Sequence, residues 1–105
     1  MAGIVRWSEL ARDDLADAAG YIARDSVHYA EMFIDDVLDA AEGLCEFPRL
    51  GHVVPEFDRP AIRELPVRGY RMIYEVASEG VVILALVHGA RELESLWRRQ
   101  HRPLP

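Results

Sequence analysis

Apolar residues recur every three to four positions over the first half of this chain, and crowd into near-continuous runs over the second. Ile4, Val5 and Trp7 make a short strand candidate, and Ser8 stands where a helix N-cap belongs. Leu10, Ala11, Leu15, Ala18, Ala19 and Ile22 then keep helical spacing to about Arg24. Ser26 can cap a second helix, whose stripe is Ala30, Phe33, Ile34, Val37, Leu38, Ala41, Leu44 and Cys45. Glu31, Asp35, Asp36, Asp39 and Glu42 fall on its other side. With almost no linker between them, the two helices are expected to form an antiparallel hairpin. Phe47-Pro48-Arg49-Leu50-Gly51 ends the second helix, because proline cannot extend it. The loop that follows, to Pro60, carries the apolar anchors Val53, Val54 and Phe57, so it is expected to be pinned to the body.

From Arg63 to Arg91 the pattern becomes that of a sheet. Two runs rich in β-branched and aromatic residues are each entered through a glycine turn. Taking Pro66 to Gly69 as a four-residue turn sets Glu64 opposite Arg71. Taking Ser78-Glu79 as the next turn sets Tyr74 opposite Ile83 and Arg71 opposite Leu86. Strict alternation then gives one face Tyr70, Met72, Tyr74, Val76, Ile83, Ala85 and Val87, which should meet the helical hairpin. The other face receives Glu64, Arg71, Ile73, Glu75, Val82, Leu84, Leu86 and His88. That face is partly apolar with no obvious helix to cover it, which marks a partner site. Leu93, Leu96 and Trp97 form one stripe of a short helix over 91–99, a segment able to return across the open face, and the basic tail from Arg98 on is expected to be flexible.

The length of 105 residues fits a single domain, 1–105, with one core and no need of staples. The lone Cys45 excludes an intramolecular disulfide and fits a cytoplasmic chain. No secretion signal or membrane span is expected, since the longest apolar run, Val81 to Val87, is far short of the ~20 residues a spanning helix needs. The net charge is −6, unevenly spread: residues 1–60 carry thirteen acids against five arginines, and residues 61–105 five acids against seven. A nucleic-acid binder usually carries a strong basic field, and the chain as a whole lacks one. All twelve basic residues are arginine, so any general acid or base must be Glu, Asp, His or Tyr.

No phosphate-binding Gly-x-x-x-x-Gly-Lys loop, Gly-x-Ser-x-Gly elbow or dinucleotide fingerprint is present. His28, His52, His88 and His101 share no ligand spacing with one another or with Cys45, so no metal and no cofactor is expected. One constellation carries candidate chemistry: Glu64, Arg71, His88 and Arg91 at a shared end of the sheet. It reads either as a cross-strand ion pair with solvent-facing arginines, or as a phosphodiester site in which arginines clamp phosphate while His88 or Glu64 moves protons.

Several stretches together resemble a known family. They are Val5-Arg6-Trp7, the Ala-Arg-Asp-Asp-Leu helix start, Tyr21 to Ser26, Phe47 to Gly51, Val54-Pro55-Glu56, Ile62 to Leu65, Tyr70 to Tyr74 and Val87-His88-Gly89-Ala90-Arg91. In that order, over about residues 4–97, they resemble the ParE/RelE toxin superfamily of bacterial type II toxin–antitoxin modules. The resemblance implies an α+β fold of the RelE/ParE kind: an N-terminal strand, an antiparallel helical hairpin packed on a curved, mostly antiparallel sheet, and a short C-terminal helix. It implies either of two activities, inhibition of DNA gyrase by ParE-like members or cleavage of ribosome-bound messenger RNA by RelE-like ones. Both kinds are neutralised by a cognate antitoxin. Arg71 and Arg91 match arginines that contact phosphate in the nuclease branch. Ile62 and Glu64 stand where that branch places lysines, and Trp97 where it often places a tyrosine. Val-His-Gly-Ala-Arg and Phe-Pro-x-Leu-Gly resemble the ParE branch more closely. The expectation is therefore a ParE-like toxin without confident catalytic residues, its antitoxin seated on Ile73, Val82, Leu84 and Leu86. The alternative is an RNA endonuclease working through Arg71, His88, Arg91 and Glu64.

Overall fold

The strand Ile4–Trp7 (β1) pairs not with a sequence neighbour but, in parallel, with the last strand of the chain, Gly80–His88 (β5). This computed structural model describes residues 3–89, 91 and 93–99. Between the two strands lie helices Glu9–Ala23 (α1) and Val27–Gly43 (α2), then His52–Val53 (β2), Ile62–Val67 (β3) and Tyr70–Ala77 (β4), with helix Leu93–Arg99 (α3) after β5. The sheet order is β1-β5-β4-β3-β2, antiparallel from β2 to β5. It is the expected N-terminal strand, helical hairpin, mostly antiparallel sheet and closing helix.

The predicted caps form. The Ser8 hydroxyl oxygen accepts from Ala11 N at 3.0 Å and the Ser26 hydroxyl from Tyr29 N at 3.2 Å, each satisfying a first-turn donor that the helix leaves open. Ala11, Ala18, Phe33, Val37, Ala41 and Leu44 meet Met72, Tyr74, Val81, Ile83 and Leu86 in the main core. Where β1 stops opposite Ile83, α1 takes over the edge of β5: the Ser8 hydroxyl donates to Leu84 O at 3.3 Å, and Leu86 N donates to Asp14 Oδ2 at 3.0 Å.

Two features of register depart from the alternation drawn above. The β3–β4 turn is two residues, Arg68-Gly69, both at positive φ (51° and 82°), so Val67 pairs with Tyr70 and Glu64 with Ile73. Arg68 carries a side chain in the left-handed region, and Asp36 on α2 accepts from its Nε at 2.5 Å. The second is a β-bulge. Tyr74 pairs with Ile83 but Ile73 pairs with Ala85, leaving Leu84 as an extra residue on β5. Beyond it every side chain of β5 changes face. Leu86 therefore points to the helical hairpin and joins the main core, while Ala85 and Val87 turn to the other side.

That other side is not open as expected. Leu93, Leu96 and Trp97 of α3 close on Ile62, Ile73, Ala85 and Val87, joined by Val54 and by Phe57, whose ring meets Trp97 edge-on at 5.3 Å. The short helix over 91–99 thus returns across the sheet, and the pinned loop is part of the same second core. Ile73 is fully buried and Leu86 5 % exposed, so neither is available to a partner here, while Val82 and Leu84 are half-buried. Arg98 and Arg99, assigned above to a flexible tail, belong to α3; the rest of that tail lies outside the described residues. No helix among the described residues is long and apolar enough to cross a membrane.

Candidate functional site

The four residues of the candidate nuclease constellation do not come together. Arg71 lies on the face closed by α3, with Glu64. Its guanidinium reaches Glu56 through two bonds of 3.0 Å, Nη1 to Oε2 and Nη2 to Oε1, and Nη2 also bonds Glu64 Oε2. The bidentate bond to Glu56 comes first among the causes that raise the Arg71 pKa above the ordinary arginine value, with Glu64 adding to it against the cost of burial. The Glu56 carboxyl is in turn held below the usual carboxylate range by Arg71. One cation already matched by two carboxylates does not present net positive charge to a phosphate, and it ties the 54–61 loop to the sheet.

His88 pairs with Tyr70 on the opposite face, its ring edge-on to Tyr70 at 5.2 Å, and Tyr70 in turn packs against Phe33 of α2 at 5.1 Å. Arg91 is exposed and lines, with His88, Tyr70, Tyr21, Asp14 and Asp17, a cleft of about 510 Å³ between α1 and the end of β5. The sheet thus separates Arg71 and Glu64 from His88 and Arg91, and no single substrate atom can face both pairs. Trp97, expected above to stand where the nuclease branch often has a tyrosine, is 3 % exposed inside the second core. Among the described residues no group of three His, Cys, Asp or Glu side chains is placed to hold a metal ion. Cys45 is a free thiol, partly exposed.

The structure brings forward a surface that the sequence reading left within the core. A groove of about 650 Å³ runs between α1 and α2 beside Trp7 at the end of β1. Leu15, Ala16 and Ala19 of α1 and Ile34 and Leu38 of α2 line it, with Arg6 and Arg12 at its rim. Its origin is geometric. The apolar stripe of α2 is wider than the sheet can cover, so Ala30, Phe33, Val37 and Ala41 are buried while Ile34 stays half-buried and Leu38 is 42 % exposed. Small residues at 16 and 19 leave the space between the helices unfilled. The signal was present in the sequence as the i, i+4 pair Ile34/Leu38 flanking the main stripe. Alongside, β1 is an edge strand with Ile4 56 % exposed.

An apolar groove edged by Arg6 and Arg12 thus lies beside an open sheet edge in a small α+β domain. The family described as "ParE toxin of type II toxin-antitoxin system, parDE" matches residues 5–93, and the chain belongs to it. Among solved structures it is similar to a chain of the chromosomal ParDE toxin–antitoxin system from P. aeruginosa, with a TM-score of 0.67 at 18 % identity, covering 83 % of this chain and 96 % of that one. No curated protein matches it.

Proposed function

We propose that the protein is the toxin of a ParE-type module that acts by binding, with DNA gyrase as its cytoplasmic target, and that a cognate antitoxin holds it inactive from the α1–α2 groove. The observation that carries the choice of binding over RNA cleavage is the division of the charged residues. Arg71 is matched by Glu56 and Glu64 on one face of the sheet, and His88 stands on the other. A phosphodiester cleaver needs a phosphate clamp and a proton-transfer group within reach of one bond. The gyrase target is supported by membership of the ParE family and by the acidic net charge of −6, which disfavours approach to a ribosome.

The groove suits an amphipathic segment of the antitoxin, with apolar side chains against Leu15, Ile34 and Leu38 and carboxylates toward Arg6 and Arg12. It replaces the sheet face of Ile73, Val82, Leu84 and Leu86 as the partner site, because α3 and the hairpin already cover the centre of that face. Two measurements test the reading. The purified protein should inhibit gyrase supercoiling and leave ribosome-bound messenger RNA intact; RNA cleavage that disappears in Arg71→Ala or His88→Ala would reverse the choice. Leu38→Asp should weaken binding of the adjacent reading frame's product by about tenfold or more, roughly 1.4 kcal/mol. Unchanged affinity would remove the groove as the antitoxin site.

A further inference from the structure

The turn between α2 and β2 exposes two large apolar side chains and anchors their backbone from below. Phe47 is 63 % exposed and Leu50 59 %. Leu50 N donates to Phe47 O at 3.0 Å, closing a β-turn with Pro48 and Arg49 at its centre, so the two Cα atoms stand within about 7 Å of each other. Proline is favoured at that central position because its φ is already set. The buried Tyr74 donates its hydroxyl to Pro48 O at 2.8 Å and accepts from Gly51 N at 2.9 Å. Arg63 Nη1 donates to Gly51 O at 2.9 Å and to Arg49 O at 3.4 Å. Gly51 sits so close to β3 and β4 that a Cβ there would meet the Tyr74 hydroxyl oxygen at 2.7 Å.

Exposed apolar residues on a loose loop are ordinary surface. Here two core-facing polar side chains, one of which keeps its buried Nε without a hydrogen-bond partner, fix four backbone groups of a five-residue loop. The loop is ordered before any partner arrives, so binding through it forfeits little conformational freedom. Aromatic residues and arginine are the side chains enriched at interfaces, and this turn offers Phe47, Arg49 and Leu50 side by side, all exposed. Arg49, with Arg63 beneath it, sets positive charge in a half of the chain whose net charge is −8 (thirteen acids, five arginines).

We infer that this turn is the anchor by which the protein grips its target: a protein surface with an apolar pocket for Phe47 and Leu50, edged by carboxylates that face Arg49. The inference rests on the reading that the protein acts by binding, and it separates two surfaces. The antitoxin lies in the α1–α2 groove beside β1, whereas the turn leads into β2 at the opposite edge of the sheet.

The experiment compares three full-length chains: wild type, Phe47→Ser/Leu50→Ser, and Arg49→Glu. Growth arrest on induction, gyrase supercoiling and affinity for the adjacent reading frame's product are measured alongside thermal melts. Both variants should need at least tenfold more protein for growth arrest, with antitoxin affinity within twofold of wild type. Undiminished arrest, or a loss of antitoxin affinity at an unchanged melt, overturns the inference. Should the double variant fail to fold, Arg49→Glu decides alone, since it changes only an exposed charge. A wild-type chain that arrests growth yet leaves supercoiling untouched removes gyrase as the target while the turn is still judged by growth. A wild type that arrests nothing removes both.

Discussion

Replacing Tyr74 with phenylalanine takes away one oxygen atom and strands two backbone groups. The ring stays, fully buried between the hairpin and the sheet, so the apolar contribution of the residue is retained. What disappears is the acceptor for Gly51 N at 2.9 Å and the donor to Pro48 O at 2.8 Å. A buried polar group left without a partner costs about 1–3 kcal/mol. Gly51 N is buried and takes the full cost, while Pro48 O is only part-buried and recovers some from water. The expected loss is about 2–4 kcal/mol, a large share of the roughly 5–15 kcal/mol by which a domain of this kind is stable. At about 4 °C per kcal/mol for this chain length, the melting temperature should fall by about 8–16 °C. Urea unfolding should show a lower midpoint at an unchanged m-value, because native and unfolded states expose the same surface as before. Hydrogen exchange at the Gly51 amide should accelerate more than at the core strands. A loss below about 0.5 kcal/mol, or unaltered protection of that amide, would refute the claim that the Tyr74 hydroxyl holds the turn.

Other consequences are as direct. Trp97→Ala empties the second core beneath α3 and should cost about 3–5 kcal/mol by chemical denaturation; a cost under 1 kcal/mol would show that α3 contributes little to the fold. The Glu56–Arg71 pair makes stability depend on pH with a definite sign. The Glu56 pKa is lower folded than its ordinary 4.5, so in acid the unfolded chain binds more protons. The stabilisation is complete above that ordinary value and is lost as pH falls through the folded value. Glu56→Gln should therefore flatten the acid limb of the stability curve measured by urea midpoints, and an unchanged limb would discount the pair.

How much of this was legible beforehand follows from where the sequence alternates and where it does not. Ser8 and Ser26 are caps with donors three residues on, and the i, i+3, i+4 stripes of both helices are long, so the hairpin could be read directly. The strand from Tyr70 to Ala77 mixes polar and apolar residues and its face assignment held. The run Val81 to Val87 is apolar throughout, so it carries no parity, and nothing in it marks Leu84 as the bulged residue. One unreadable insertion moved Leu86 and His88 to the hairpin side, taking one of the four expected partner residues and one of the four candidate catalytic residues off the α3 face. The Arg68-Gly69 turn was missed for a local reason: arginine seldom takes positive φ, and the ion pair to Asp36 that accompanies it is a contact 32 residues away. The α1–α2 groove escaped because periodicity shows that a side of a helix is apolar, not how much of it the sheet will reach.

The parallel pairing of first and last strands also sets a timetable for synthesis. Ile4 finds its partner Gly80 only 76 positions later, and that partner must be glycine, since a Cβ there would collide with the Ile4 carbonyl. At about 5–20 residues per second, a ribosome leaves the leading strand unmatched for roughly 4–15 s, while the helices behind it are already complete. For that interval the nascent chain offers both borders of Ile4–Trp7 to whatever polypeptide is nearby.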